Sequence, residues 1–330
     1  MSDLILNGGA HDAISERAGN VEHNRPVLNS GADRFATNAT LRDDEWELID
    51  ARVNEEARLR LRVFDRFRSL GLVQPIGIGD VIRTTEYLDG FPNGQIDFDG
   101  RTDPQLQKAK YEQTSVAVPI VAQDFEIGFR QLASSNRRGN NLSTDSAALA
   151  MRGVAYQMED LIVNGYDGGT PNGENIDGLV SSTNGLSVSL GTPWDDSGGD
   201  PVGDTERMLK SMYNSSFVGP FDLMVPFNWW AALQDDYSTQ KGDRTFIERL
   251  EAFAEIQSVY PVQALADDTA VLVQTTQDVV DISLAQAPTT WQWQKNQAAT
   301  RFRVLMIGGP QVKVQFNDSG SAVTGIVTLS

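Results

Sequence analysis

A long polar segment between two strand-like stretches constrains the fold of this chain more than any other feature. Residues 79–87 and 111–118 have the composition of strands. Between them the sequence EYLDGFPNGQIDFDGRTDPQLQKAK is dense in turn formers, namely Asp89-Gly90, Pro92-Asn93-Gly94, Asp99-Gly100 and Asp103-Pro104. A loop this long is unusual inside a compact domain and normally has a function. We therefore predict that residues 71–115 form a long hairpin whose tip leaves the domain body.

The residue types present exclude most enzyme chemistry. The chain of 330 residues has no cysteine, and its two histidines, His11 and His23, both lie near the N-terminus. Disulfides, thiolate zinc sites and cysteine nucleophiles are therefore excluded. Phosphate-binding P-loops, dinucleotide fingerprints, HExxH helices and GxSxG turns are absent from the sequence. The stretch from Asp97 to Gly100 faintly resembles a calcium loop but lacks the further ligands and the closing Glu. We expect no catalytic residue, no cofactor and no metal.

The charge balance argues against a dedicated nucleic-acid binder. Subtracting 45 acidic from 27 basic residues gives a net charge of −18, and the isoelectric point is about 4.5. Affinity for nucleic acid comes mostly from neutralising phosphates, so binding would require basic residues clustered on one face. No run approaches the ~20 apolar residues that a membrane helix needs, and the first residues do not resemble a secretory signal. The expected setting is a reducing, soluble compartment without a membrane partner.

The N-terminal part of the chain divides into an arm and a helix. Residues 1–40 are polar and lack an apolar period, which is typical either of a disordered tail or of an arm that orders against a neighbouring subunit. Helical spacing of apolar residues predicts a helix over residues 41–68. Acidic residues crowd its start, and arginines such as Arg58, Arg62 and Arg66 crowd its end. These charges either match the helix dipole or form a basic strip facing packaged nucleic acid or a scaffold protein.

The remainder of the chain alternates helices and short strands. We predict a strand over residues 116–121, a short helix from Phe125 to Leu132, and a long helix from Ser143 to Gly165 with Met151, Val154 and Met158 on its apolar face. A connection rich in glycine, asparagine and proline follows over residues 165–202. Six or seven short strands with few crossover helices then predict an α+β fold.

Tryptophans and paired carboxylates leave one enzyme-like alternative. Trp229-Trp230 and, separately, Trp291 and Trp293 could stack against sugars or bases. Adjacent pairs such as Asp195-Asp196 lie in turn-like stretches, whereas catalytic carboxylates need opposed positions across a cleft. A carbohydrate-binding or glycan-cleaving protein is therefore kept as a distant alternative.

The order of these pieces resembles the Hong Kong 97-type fold of tailed-phage major capsid proteins and encapsulin shell proteins. Four stretches carry the resemblance: DEWELIDARVNEEARLRLRVFD, AVPIVAQDFEIGFRQL, GPFDLMVPFNWWAALQ and RFRVLMIGGPQVKV. They resemble the N-terminal helix, the strand before the spine helix, the strand–helix element of the axial domain and the closing strands. The likeness covers nearly the whole chain and depends on the order of the motifs.

The resemblance implies a division of the chain and a role for each part. The parts are an N-terminal arm (1–40), an N-terminal helix (41–70), an extended hairpin loop (71–115), a peripheral domain with the spine helix (116–202), an axial domain (203–309) and C-terminal strands returning to the peripheral domain (310–330). The hairpin would lie over an adjacent subunit through Tyr87, Leu88, Phe91, Ile96, Phe98 and Leu106. A loop with Asp235, Asp236, Tyr237 and Lys241 would point at the five- or six-fold axis. Arg58, Arg62 and Arg66 would form a strip facing the lumen.

The function that the resemblance implies is structural. The chain would be a major capsid protein that forms pentamers and hexamers of an icosahedral head around double-stranded DNA, assembled in the host cytoplasm. Scaffold, portal and decoration proteins would be its other partners, and contact with DNA would be weak and non-specific. An encapsulin-type nanocompartment shell is the alternative. The roughly 40 residues before the N-terminal helix favour the virion, because encapsulins usually begin that helix close to the chain start.

Overall fold

The computed structural model describes residues 43–89, 96, 98–99, 110–128, 130, 144–171, 173–236, 244–295, 299–317 and 320–330. Its helices are α1 (Asp43–Arg60), α2 (Arg62–Ser69), α3 (Asp145–Asn164), α4 (Pro201–Asn214), α5 (Phe227–Ala232) and α6 (Phe246–Glu251). Its strands are β1 (Val73–Pro75), β2 (Ile82–Asp89), β3 (Lys110–Ala117), β4 (Ile120–Gly128), β5 (Leu186–Val188), β6 (Phe221–Val225), β7 (Ile256–Pro261), β8 (Ala270–Gln274), β9 (Val280–Lys295), β10 (Ala299–Val312), β11 (Gln315–Phe316), β12 (Ala322–Val323) and β13 (Ile326–Leu329). Helices and mostly antiparallel sheets confirm the predicted α+β class. The predicted arm at residues 1–40 lies outside the described residues.

A four-stranded sheet supports the long helix α3. Its strand order is β1-β9-β10-β4, and α3 packs on β4 and β10. The apolar face predicted for this helix is buried, since Met151, Val154 and Met158 are at most 1% exposed. The helix ends at Gly165, whose φ of +74° is costly for any residue with a side chain. The sequence-based prediction of this helix is confirmed.

The second large sheet has five strands, in the order β5-β13-β8-β6-β7. Its central strands are fully buried and nearly all apolar, as expected of strands covered on both faces. The C-terminal strand β13 pairs with β8 and β5 in this sheet. Residues 310–330 were expected to return to the peripheral domain; β13 lies between β5 from residues 116–202 and β8 from residues 203–309, and its Ile326, Val327 and Leu329 are buried as in a central strand.

Strands β9 and β10 also cross a predicted boundary. They pair with each other, and β10 pairs with β4 beneath α3. The resemblance implies an axial domain over residues 203–309. Strand β9 and most of β10 come from that range, but both lie in the sheet that carries the spine helix. Short strands were predicted in this part of the chain; two strands of 16 and 14 residues form instead, with register shifts that bend them.

The short helix predicted from Phe125 to Leu132 is wrong at its start, because residues 120–128 form strand β4. Phe125 and Ile127 alternate inward along that strand, and Phe125 stacks on Phe302 of β10 with ring centroids 5.3 Å apart. The long antiparallel ladder with β10 supplies the partner that favours a strand over a helix.

Candidate assembly surface

The predicted hairpin is present as a two-stranded ribbon. Strands β2 and β3 are each eight residues long and pair antiparallel from Ile82–Ala117 to Asp89–Lys110. At ~3.4 Å per residue the ribbon extends roughly 27 Å. A two-stranded ribbon is at best marginally stable in water by itself. Its direction therefore depends on how its root is attached to the rest of the subunit.

The root is attached through a buried carboxylate. Arg83 on β2 donates to both carboxylate oxygens of Asp281, at 2.8 and 3.0 Å, and to the Ser283 hydroxyl at 2.8 Å. Asp281 lies on β9 and is fully buried. The Lys313 ammonium lies 2.8 Å from the same carboxylate. Two cations therefore compensate one buried anion, which is what a buried charge requires.

Further contacts extend this attachment along the ribbon. The Gln311 amide donates to the Thr85 hydroxyl. The Tyr87 ring stacks on Phe316 with centroids 6.2 Å apart, and its hydroxyl donates to Glu112 at 3.1 Å. Tyr87, predicted as an inter-subunit residue, thus contacts its own subunit. The attachments at positions 83, 85 and 87 fix the direction of the ribbon.

Two apolar side chains beyond the ribbon are almost fully exposed. Ile96 is 88% exposed and Phe98 is 97% exposed. Leu88 is part of β2. Phe91 and Leu106 lie outside the described residues. Exposed large apolar side chains on a projecting element mark an interaction site more often than scattered surface apolar residues do.

Helix α1 is joined to the spine helix by a second buried carboxylate. Arg152 on α3 donates to both oxygens of Glu56 at 2.9 and 3.0 Å. Arg52 and Arg60 lie 3.3 and 3.6 Å from the same group. The hydrogen bonds from Arg152 lower the pKa of Glu56 below its usual value, although burial opposes this. Part of the basic cluster in this helix therefore holds the subunit together.

The three arginines predicted to form a lumen-facing strip have different surroundings. Arg58 is exposed. The Arg62 guanidinium lies over the Phe227 ring, 5.6 Å from its centroid. Arg66 forms two hydrogen bonds of 2.7 and 2.9 Å with the fully buried Asp222 on β6. Arg66 thus ties α2 to the five-stranded sheet.

A break at Leu61 separates α1 from α2, where the sequence predicts one continuous helix. The first amides of α2, those of Val63 and Phe64, donate to the Glu159 carboxylate of α3 at 3.2 and 3.1 Å. Glu159 therefore caps the N-terminus of α2 from another helix, an arrangement that local periodicity does not reveal. Burial raises the pKa of Glu159 to about 7, although these two hydrogen bonds act in the opposite direction.

The predicted axis loop is described only at its base. The Asp235 carbonyl accepts from the Phe246 amide at 3.2 Å, and Asp236 forms an isolated bridge with Thr245. These contacts bring the two ends of the loop together. Tyr237 and Lys241 lie outside the described residues.

One of the tryptophans behind the enzyme-like alternative is used for packing. Trp229 is fully buried, donates to Asp268 at 3.1 Å and stacks on Trp194 at 4.4 Å. It cannot stack against a sugar from that position. Within the described ranges no cluster of three His, Cys, Asp or Glu side chains could hold a metal ion. A search of the same ranges finds no helix with the length and hydropathy needed to span a bilayer.

Known structures share this architecture. The virus-like particle protein of Pyrococcus furiosus superposes with a TM-score of 0.54 and 17% identity, over 84% of this chain and 98% of that chain. The Mycobacterium phage Cain structure gives 0.59 and 12%, over 79% and 89%. The capsid of Myoviridae phage XM1 gives 0.56 and 13%, over 78% and 88%. The fold is the Hong Kong 97-type fold that the sequence resembles.

Sequence comparison points to the same group of proteins. The type 1 encapsulin shell protein EncA of Myxococcus xanthus is 24% identical over 249 residues, which are 74% of this chain and 80% of that protein. Residues 35–325 match a family of unknown function, DUF6260. Because this match spans most of the chain, the protein belongs to the DUF6260 family.

Proposed function

We propose that this protein is a major capsid protein whose copies assemble into an icosahedral head that encloses the double-stranded DNA of a tailed phage. Its fold is that of shell proteins, and the structures it resembles include a phage capsid and a virus-like particle. The role is structural and not catalytic. Pentamers and hexamers of the chain itself would be the building units, with scaffold, portal and decoration proteins as further partners in the host cytoplasm.

The observation that carries this proposal is a firmly attached ribbon with exposed apolar residues beyond its end. The bond from Arg83 to buried Asp281 fixes the ribbon, so its direction is determined within the subunit. Ile96 and Phe98 then contact almost nothing in their own chain. In a monomer these side chains stay exposed to water, whereas in a shell each copy can bury them against a neighbour.

The net charge of −18 fits a container for DNA. Screened repulsion between acidic walls and phosphates would keep the contents from adhering to the shell. Of the predicted basic strip, exposed Arg58 is the side chain best placed for weak contact with DNA, because Arg66 is engaged by Asp222.

A second candidate is an encapsulin-type shell, favoured by the likeness to the Myxococcus xanthus shell protein. Both candidates are closed shells that share the fold, and they differ in size and content. Particles purified from the native source separate them: DNA-filled heads with a portal vertex support the phage capsid, and small shells around a protein cargo support the encapsulin.

Replacing the hairpin tip tests the shared claim. Residues 90–109 are exchanged for Asn-Gly, a two-residue turn that closes a hairpin. The shortened chain should unfold at the same urea concentration as the full chain, because the attachments of the ribbon lie at residues 83–87, and it should no longer form shells. Normal shells from the shortened chain would contradict the proposed role of the hairpin.

A further inference from the structure

An apolar groove lies at the root of the ribbon. It has a volume of about 300 Å³ and is lined mainly by apolar side chains. Ile78, Val81, Ile120 and Tyr166 line it and are between 51% and 64% exposed. Ile307 contributes to its floor. A cavity of about 150 Å³ with apolar walls is enough to hold a benzene molecule, so this groove can accept an aromatic ring.

The walls of the groove are fixed by backbone hydrogen bonds. The Val118 amide donates to the Val81 carbonyl at 2.8 Å, which ties the segment before β2 to the segment before β4. Tyr166 and Ile176 exchange two backbone hydrogen bonds of 2.8 Å each. These two bonds hold the loop after α3, which forms another wall of the groove. A groove already in its final shape binds with little loss of conformational entropy.

The Phe98 side chain of the same molecule does not fill this groove. Ile82 and Ala117 begin the ribbon next to the groove, and the ribbon then runs roughly 27 Å away from it. Phe98 belongs to the segment that joins β2 to β3 in sequence, is 97% exposed and does not line the groove. One molecule therefore presents an unfilled apolar groove at the root of the ribbon and an unburied aromatic side chain in the segment that joins its two strands.

We propose that the groove formed by Ile78, Val81, Ile120 and Tyr166 receives the Phe98 side chain of a second copy of this chain. This inference rests on the proposed function and assigns the surface that the hairpin of a neighbour contacts. The contact is heterologous, since it joins two different surfaces of the same protein. Repeated around a rotation axis, such contacts close into a ring.

The size of the contact fits an assembly protein. An aromatic side chain buries ~150–250 Å², whereas a stable pair of proteins buries ~1,200–2,000 Å². Two free subunits are therefore not held together by this contact alone. The contact stabilises an assembly when many copies form it at once, and this favours closed shells over isolated dimers.

Cross-linking between differently labelled copies tests the assignment. The chain contains no cysteine, so each introduced thiol is unique. The Ile96→Cys variant, which keeps Phe98, is mixed with the Ile120→Cys variant, assembled, and treated with an oxidant or a short bis-maleimide. A product between the two variants can only join two copies. Both substitutions replace exposed side chains, so the variants should fold, and their urea midpoints check this.

The matched control pairs the Ile96→Cys variant with the Val218→Cys variant, because Val218 is 74% exposed and does not line the groove. We expect at least tenfold more cross-linked dimer with the groove variant than with the control. Shells of normal diameter with equal yields from both mixtures would overturn this inference and leave the proposed function intact. An unmodified chain that stays monomeric would overturn both.

Discussion

The Arg83 guanidinium donates hydrogen bonds of 2.8 and 3.0 Å to the two carboxylate oxygens of Asp281, although 198 residues separate the two in sequence. This pair links the ribbon to strand β9 of the sheet beneath the spine helix. Because Asp281 is fully buried, its charge depends on Arg83 and on Lys313 for compensation. The direction of a surface element is thus set by an interaction inside the subunit.

Replacing Arg83 with Gln should weaken both the subunit and its assembly. Removing one partner of a buried ion pair costs about 3–5 kcal/mol, and since Arg83 is partly exposed and Lys313 remains, we expect a loss of roughly 1–3 kcal/mol. Urea unfolding measures the loss. Arg301→Gln is the control, because its pair with Glu126 is long and exposed and should contribute less than ~1 kcal/mol. Equal losses in both variants would show that the buried pair does not anchor the ribbon.

Arg66 and Arg58 should respond differently to the same substitution. Arg66→Gln leaves the buried Asp222 carboxylate without its cation, and we expect a loss of about 2–4 kcal/mol in the free energy of unfolding. Arg58→Gln alters an exposed side chain and should change it by less than ~0.5 kcal/mol. Thermal and urea unfolding of both variants provide the comparison. A stable Arg66→Gln variant would return this residue to the basic strip predicted from the sequence.

Stability should fall as pH rises through neutrality, because of Glu159. Burial raises the pKa of this carboxyl from 4.5 to about 7, so between these values the folded state binds more protons than the unfolded state. The stabilisation is fully present below about pH 4.5 and is lost as pH rises through 7. It amounts to on the order of 2–3 kcal/mol, reduced by whatever local relaxation occurs. Asp65 on α2 raises the pKa of Glu159 and Arg62 on the same helix lowers it, while the Glu159 charge in turn contributes to the raised pKa of Tyr260 on β7.

The Glu159→Gln variant isolates this effect. Gln cannot titrate but keeps one oxygen that can accept from the Val63 or Phe64 amide. Urea midpoints measured from pH 5 to 8.5 should fall less steeply in this variant than in the unmodified chain. Glu206→Gln on the exposed side of α4 should keep the original slope. Identical slopes in all three proteins would mean that Glu159 does not titrate in this range.

Met158→Asp should prevent folding of the subunit. Met158 is fully buried on the apolar face of α3, and an unpaired buried charge costs several kcal/mol. The neighbouring Gln157 is exposed, so Gln157→Asp should leave the cooperative transition in place. Circular dichroism of both variants distinguishes them. A cooperative transition in the Met158→Asp variant would contradict the packing of the spine helix.

Elements with strong local signals were predictable from the sequence. Strand β6 (Phe221–Val225) is a short apolar run that ends at Pro226, a local pattern typical of a buried strand. The spine helix was predicted from its periodic apolar face and from Gly165 at its end. The hairpin followed from its turn residues, and β2 and β3 lie within three residues of the predicted strands.

Features set by distant partners were not predictable. Glu159 interrupts the N-terminal helix at Leu61 from about a hundred residues away, and no local pattern signals this. Strand β4 replaces a predicted helix because β10 pairs with it. The sheet that β13 joins is set by its pairing with β5 and β8, which are distant in sequence. The groove at the root of the ribbon likewise combines four separate segments of the chain, so its apolar residues have no common signal in the sequence.

Electron microscopy of the purified, unmodified chain tests the central claim most directly. If each subunit completes its apolar burial only against other copies, the images should show closed particles of uniform diameter. A population of single compact particles of 36.2 kDa, under every assembly condition tried, would contradict the account.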